Sequence, residues 1–258
     1  MVTLSKLQTY LDDLLFYDRK IDIYRTDPHM ANGLHIKGTE NITKIGLAVS
    51  ASIKTFEMAV SAHCQAVIVH HTISQPPFLY YDRLFQNRMA FLIKNNLSLF
   101  GYHFLLDSHP LIGHNIEILK QLDVQKPKPF AFDKDPWGFF GEIEPADLTT
   151  IIDKIKPFLS PTMKLYDFGP KKIKTIAAVS GHGVPYPSNL TYFIKKNIDL
   201  YITGENSEWI REIFRESGIN YLAGGHYYTE RYGLLALERK IKNDLAVNTE
   251  FLEFTNEV

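Results

Sequence analysis

The chain has 258 residues, 45% of them hydrophobic, enough for a sizeable buried core organised as one large or two smaller domains. Lys plus Arg number 28 and Asp plus Glu 29, a net charge of -1, so no global basic field exists to hold nucleic acid. The one cysteine, Cys64, excludes an internal disulfide, a thiolate-rich zinc site and an iron–sulfur cluster within the chain, and is compatible with a reducing cytosol.

The N-terminal stretch MVTLSKLQTYLDDLLFYDRK carries charge every few residues and lacks the apolar run of a signal peptide. Nor does any stretch reach the roughly 20 apolar residues that span a bilayer, so a cytoplasmic protein is expected. Asn32-Gly33-Leu34 reads as a turn. From there, short apolar, β-branched runs alternate with longer segments of helical spacing. A strand over Lys44–Ser50 leads to a helix over Lys54–Cys64, and a strand over Ala66–His70 to a helix over Tyr81–Asn95. A strand over Leu97–Tyr102 precedes a helix over Gly113–Leu122. The segment Gln125–Pro136 (QKPKPFAFDKDP), rich in Pro and charge, reads as a linker. Beyond it come strands over Lys174–Ser180, Asp199–Thr203 and Ile219–Ala223, with helices over Asn189–Lys196, Glu208–Ser217 and Thr229–Ile241. This repetition predicts an α/β fold of two interlinked α/β lobes with mostly parallel sheets. The lobes are expected to be residues 1–126 with 226–258, and residues 127–225.

Three of the predicted strand exits deliver metal-binding side chains. The run AVIVHH at 66–71 suits a strand covered on both faces, and its histidines fall where the strand ends. Open α/β sheets place ligand sites at that end. Both His70 and His71 reach one cluster only if the chain turns there, because neighbouring strand residues point to opposite faces. A strand ending in two locally hydrogen-bonded polar residues explains the pair equally. The loop LFGYHFLLDSHPLIGHN at 99–115 then presents His103, Asp107, His109 and His114, with a helix expected to start near Pro110. A carboxylate can bridge two cations, which makes Asp107 the informative residue, although a turn or N-cap aspartate is the ordinary alternative. His103 and His109 read as outer-shell partners or surface residues, and His114 as solvent-facing.

The third exit is AGGHYYTER at 223–231, where His226 and Glu230 share a helical face if the helix has begun by His226. Alone, this pair is an exposed helix start worth little. Taken together, His70, His71, Asp107, His226 and Glu230 make a nitrogen and oxygen set suited to Zn, Fe, Mn, Co or Ni, and generous enough for two divalent ions. Glu205, in DLYITGENSE, is a candidate general base or outer-shell group, or a helix N-terminal glutamate. SGHG at 180–183 is a tight loop with His182 a candidate substrate contact, and it matches no phosphate-binding motif. With no G-x-S-x-G elbow, and with Cys64 in a predicted helix, nucleophilic serine or cysteine catalysis is unsupported.

These blocks, from NGL near 32 through AVIVHH, LFGYHFLLDSHPLIGHN, ITGE at 202–205 and AGGHYYTER, resemble the NIF-three-like (Ngg-one-interacting-factor-three-like) family in its short bacterial form, over nearly the whole chain. Many of its members carry the name GTP cyclohydrolase I type II. The resemblance implies two α/β lobes with a dinuclear metal site in the cleft between them, and a ring-shaped homohexamer. By motif position it places the ligands on the five residues above, with His103 near them. Thr72-Ile73-Ser74, Ser50 and SGHG depart from common family residues, on what the resemblance makes the substrate side. The expected function is a metal-dependent hydrolase. The family name points to opening of the guanine imidazole ring of GTP with loss of formate, with His103 or Glu205 moving protons. A non-catalytic metal-binding or partner-binding protein would use the same ligands, and a metal-dependent phosphoester hydrolase would share the chemistry.

Overall fold

The first helix shows how local pattern becomes packing. Leu4, Leu7, Leu11 and Leu15 recur at helical spacing and are all buried, while Thr3 accepts a hydrogen bond from the Lys6 amide at 3.1 Å and caps the helix start. The architecture is that of a computed structural model. It covers all residues except Arg19, residues 74–80, residues 133–134, Tyr186, Thr255, Glu257 and Val258.

In chain order the elements are β1 (Val2–Thr3), α1 (Leu4–Leu15), α2 (Ile23–Thr26), β2 (Gly33–Ile36), β3 (Asn41–Ile42), β4 (Lys44–Ser50), α3 (Ile53–Ser61), β5 (Ala66–His71), α4 (Arg83–Lys94), β6 (Ser98–Gly101) and α5 (Phe104–Asp107). There follow α6 (His114–Gln121), β7 (Gln125–Phe132), β8 (Asp135–Asp147), α7 (Leu148–Ile155), β9 (Lys164–Tyr166), β10 (Lys172–Val179), α8 (Pro187–Lys195), β11 (Leu200–Thr203), α9 (Glu208–Ser217), β12 (Asn220–Ala223) and α10 (His226–Thr229). The chain closes with α11 (Tyr232–Leu245) and β13 (Asn248–Phe251).

Two compact units result, one formed by Met1–His109 with Leu234–Phe254, the other by Pro110–Gly233. In the first unit the sheet order is β13-β4-β5-β6-β2. Its inner pairings, β13 to β4, β4 to β5 and β5 to β6, are parallel, and only β2 runs antiparallel at the edge. Val67, Val69, Leu92, Leu99 and Phe56 form its core, which explains the unbroken apolar run of β5: a strand covered on both faces has no polar side.

In the second unit the sheet order is β7-β8-β10-β11-β12-β9. Here the expectation of a mostly parallel sheet needs correction. Only β10, β11 and β12 are parallel; β7, β8 and β9 pair antiparallel around them. The expected linker is itself part of this sheet, because Gln125–Phe132 is β7, bonded to β8 alone. Pro127 and Pro129 cannot donate to a ladder, but an edge strand with one neighbour tolerates them. One apolar core gathers Ile118, Leu119, Ile152, Ile176, Ile202 and Leu222, and a second, aromatic core gathers Phe193, Tyr201, Phe214 and Tyr221.

The boundaries also fall elsewhere than at 126 and 226. Helix α6 packs on β8 and β10, so the second unit begins at Pro110, and α10 follows directly on β12, so His226 and Glu230 belong to the second unit. No described helix is long and apolar enough to cross a membrane.

Candidate metal centre

The first unit gathers His70, His71 and His103. Each offers a ligand nitrogen within 4.8 Å of the others, and their ring centroids lie 4.7 to 5.6 Å apart. Strand β5 ends at His71, which is where the two adjacent rings can come together at 4.8 Å. Asp107 is neither a turn residue nor a cap for a helix at Pro110. It closes the short helix α5, and α6 starts only at His114, after Gly113. Its carboxylate is buried and stands 3.7 Å from Nε2 of His70. Two ligands on one ion with bonds of about 2.1 Å can be separated by such a distance.

Each of these imidazoles is gripped from behind. His70 Nδ1–H donates to the Tyr102 carbonyl at 3.1 Å. His71 Nδ1 meets the Ser50 hydroxyl at 3.1 Å. His103 Nδ1 meets the Asp27 carboxylate at 3.1 Å. A carbonyl or carboxylate can only accept, so His70 and His103 each carry a proton on Nδ1, and the neutral form of each ring has its lone pair on Nε2. Ser50, one of the departures from common family residues, thus stands behind a candidate ligand.

The second unit repeats the device. Gly225, at φ 94°, gives the turn out of β12 that a side-chain-bearing residue rarely adopts, and α10 starts at His226. His226 Nε2 and Glu230 Oε1 stand 3.1 Å apart, one helical turn from each other as the spacing predicted. Behind His226, its Nδ1 hydrogen-bonds Glu205 Oε1, while the other Glu205 oxygen bonds His182 Nδ1 at 2.6 Å. Glu205 therefore stands behind His226, and His182 is a largely exposed partner of that carboxylate.

The charges follow. Burial opposes a charged His226, but Glu230 and then Glu205 outweigh it and push the imidazole up to about 9. Burial would raise the Glu205 carboxyl, yet His226 and His182 hold it below its ordinary value. Any metal ion taken by His226 displaces that proton.

Whether the residues suit a metal is tested at Gly181. It sits at φ 58°, and a Cβ built on it would overlap Glu230 Oε1 and lie 3.1 Å from His226 Nε2. The missing side chain leaves open the space that both ligand atoms face. With imidazole nitrogens and carboxylate oxygens as donors, the set fits a borderline divalent ion. Beside it in the same unit lies a cleft of about 450 Å³ lined by Thr162, Lys164, Glu205, Asn206, Gly225 and His226.

Two histidines of the aspartate loop sit in settings other than those the sequence suggests. His109 is buried in the first unit, its Nε2 3.1 Å from the Leu14 carbonyl and its ring edge-on to Tyr17. His114, expected to face solvent, is fully buried in the second unit, where its Nδ1 accepts the Gly233 amide at 3.0 Å. An amphipathic helix puts its start in the core when the neighbouring segment supplies a donor. Asp27 lies outside the blocks that the sequence singles out, and the turn expected at Asn32-Gly33-Leu34 is instead the lead into strand β2, which starts at Gly33.

Comparison with known proteins identifies the family of the chain. The model of the Duf34/NIF3 (NGG1p interacting factor 3) family matches residues 11–257, and the chain belongs to that family. A protein of Archaeoglobus fulgidus named GTP cyclohydrolase 1 type 2 homolog is 30% identical over 253 residues, covering 98% of each chain. A protein of the same name from Chlamydia pneumoniae is 30% identical over 256 residues, covering 98% of this chain and 97% of its own. Among solved structures, the protein ybgI, described as of unknown function, superposes with a TM-score of 0.85 at 27% identity over the whole of both chains. TTHA1606 from Thermus thermophilus gives 0.83 at 25% identity, again over the whole of both.

Proposed function

We propose that this chain binds two divalent metal ions through His70, His71, Asp107, His226 and Glu230 and is a metal-dependent hydrolase of a small molecule. The observation that carries the reading is that the candidate ligand histidines are each held at Nδ1: His70 by a carbonyl, His71 by a hydroxyl, His226 by a carboxylate. Metal-binding imidazoles are oriented in this way, whereas a histidine that merely fills a core needs no such uniformity. A divalent ion supplies Lewis acidity and a water acidified toward neutrality. The chain's own contribution is to fix three imidazoles by their backs and to place two buried carboxylates, Asp107 and Glu230, beside them. His103 and Glu205 are the residues proposed to carry protons at the site.

The name borne by the relatives supports GTP as the substrate, with opening of its imidazole ring and release of formate. The cleft beside His226 offers Lys164 for an anionic group. Family membership also leads us to propose a homohexameric ring. The test joins elemental analysis to turnover. His226→Ala and Asp107→Ala should each lower metal per chain, and Glu230→Ala should abolish formate release from GTP. Unchanged metal content in both ligand variants rejects the site. Activity on other phosphoesters with none on GTP moves the substrate and leaves the centre in place.

A further inference from the structure

The first unit holds a carboxylate that the ligand set does not use. Asp27, just past α2, is buried, and one of its oxygens, Oδ2, collects three donors. His103 Nδ1 lies at 3.1 Å, the Phe104 backbone amide at 3.2 Å and the Asn32 side-chain amide at 3.4 Å. Asn32 in turn uses its own oxygen to accept the backbone amide of His103 at 3.1 Å, and its nitrogen also donates to the Met30 carbonyl at 3.1 Å. His103 is thus held by ring and by backbone from residues more than seventy positions earlier in the chain.

A buried carboxylate is costly without compensation, and here all three donors point at a single oxygen. Simple packing would be served better by an apolar residue. What the arrangement gains is direction. An acceptor-only oxygen on Nδ1 fixes the tautomer and turns the Nε2 lone pair of His103 toward His70 and His71, whose rings lie 4.7 and 5.6 Å away. The Phe104 bond also anchors the first turn of α5, whose last residue is Asp107. We infer that Asp27 is a positioning residue that sets the tautomer and orientation of His103 for the metal centre, with Asn32 holding the backbone that carries it. The inference rests on the metal reading above only for the purpose of the positioning, not for its existence.

The test reads the proton directly. In metal-free protein labelled with ¹⁵N-histidine, long-range proton–nitrogen spectra distinguish the two neutral tautomers, and the His103 signal is assigned by its loss in His103→Ala. In the wild type the proton is expected on Nδ1. Asp27→Asn keeps an oxygen at the same place and should keep that tautomer and the fold. Asp27→Ala should show His103 protonated on Nε2 in a substantial fraction of molecules. Its affinity for Zn or Mn, measured by chelator competition, should fall by roughly 10- to 100-fold, because the turn that carries both His103 and the ligand Asp107 loses its anchor, with Asn recovering most of the loss. A wild-type His103 protonated on Nε2 overturns the inference without recourse to any variant. So does a folded Asp27→Ala protein whose His103 keeps its proton wholly on Nδ1. If the wild type takes up no divalent ion yet its tautomer depends on Asp27, the metal reading fails and the positioning role stands.

Discussion

Gly181 concentrates the case at the scale of single residues. Its backbone is left-handed, which costs an L-residue about 1–2 kcal/mol, and a Cβ would press on Glu230 and His226 together. Gly181→Ala should therefore lose about that much stability in denaturant unfolding and, separately, lose bound metal by elemental analysis. Full metal content in a folded variant would show that the space beside the two ligands has no such role. His35 makes a second test, of electrostatics away from the ligands. Burial lowers its pKa from 6.5 to about 4, against a hydrogen bond to the Ala31 carbonyl that works to raise it. The neutral ring is the form that fits, and between these two values the unfolded chain binds more protons than the folded one. Its contribution is whole above pH 6.5 and is lost as pH falls toward 4, at most about 3 kcal/mol. The thermal midpoint should fall over that window, and His35→Gln should flatten the slope. An unchanged slope in the variant assigns the acid sensitivity to other groups.

Single elements carry stability of their own. In α1, Leu11 is fully buried and sits in the apolar stripe with Leu7 and Leu15. Leu11→Ala should cost about 2–5 kcal/mol in urea unfolding, the range for a core leucine that leaves a cavity; a change below about 1 kcal/mol would mean the helix docks loosely. Elements also show what the sequence made legible. The three inner strands of the first sheet, β4, β5 and β6, were readable because burial on both faces writes an unbroken apolar run, as in Lys44–Ser50 and Ala66–His71, whereas its edge strands β2 and β13 carry no such run. Glu208–Ser217 was readable because its amphipathic face and terminal Gly218 mark both ends. The stripe of α1 is masked in the sequence by the charges interleaved with it. Strand β7 was hidden because two prolines signal a linker unless the segment is known to lie at an edge. Of the site, the side chains at strand exits were legible from local pattern. Asp27 and Asn32 were not, since what gives them meaning is a partner more than seventy residues away. His114 was misplaced for a similar reason: its buried setting depends on the amide of Gly233.

For the whole molecule, the metal reading makes a thermodynamic demand. An ion that binds only the folded chain stabilises it by about 2.7 kcal/mol at a free concentration one hundred times its dissociation constant. Adding Zn or Mn to chelator-stripped protein should raise the thermal midpoint as the concentration rises, and Asp107→Ala with His226→Ala should erase the rise. A midpoint indifferent to both ions in the wild type would remove the centre.

The route of the backbone has a consequence for how the protein is made. The first sheet closes with β13, whose residues Asn248–Phe251 lie beside β4, and Leu252 packs into the same core. A ribosome releases β4 to β6 long before it reaches that final strand. At roughly 5–20 residues per second the wait is on the order of ten seconds. During that interval one flank of β4 lacks its neighbour, while all the strands of the second sheet, β7 to β12, emerge before β13. The second unit thus has its full complement of strands first, and the first unit stays exposed to wrong partners until β13 has been made.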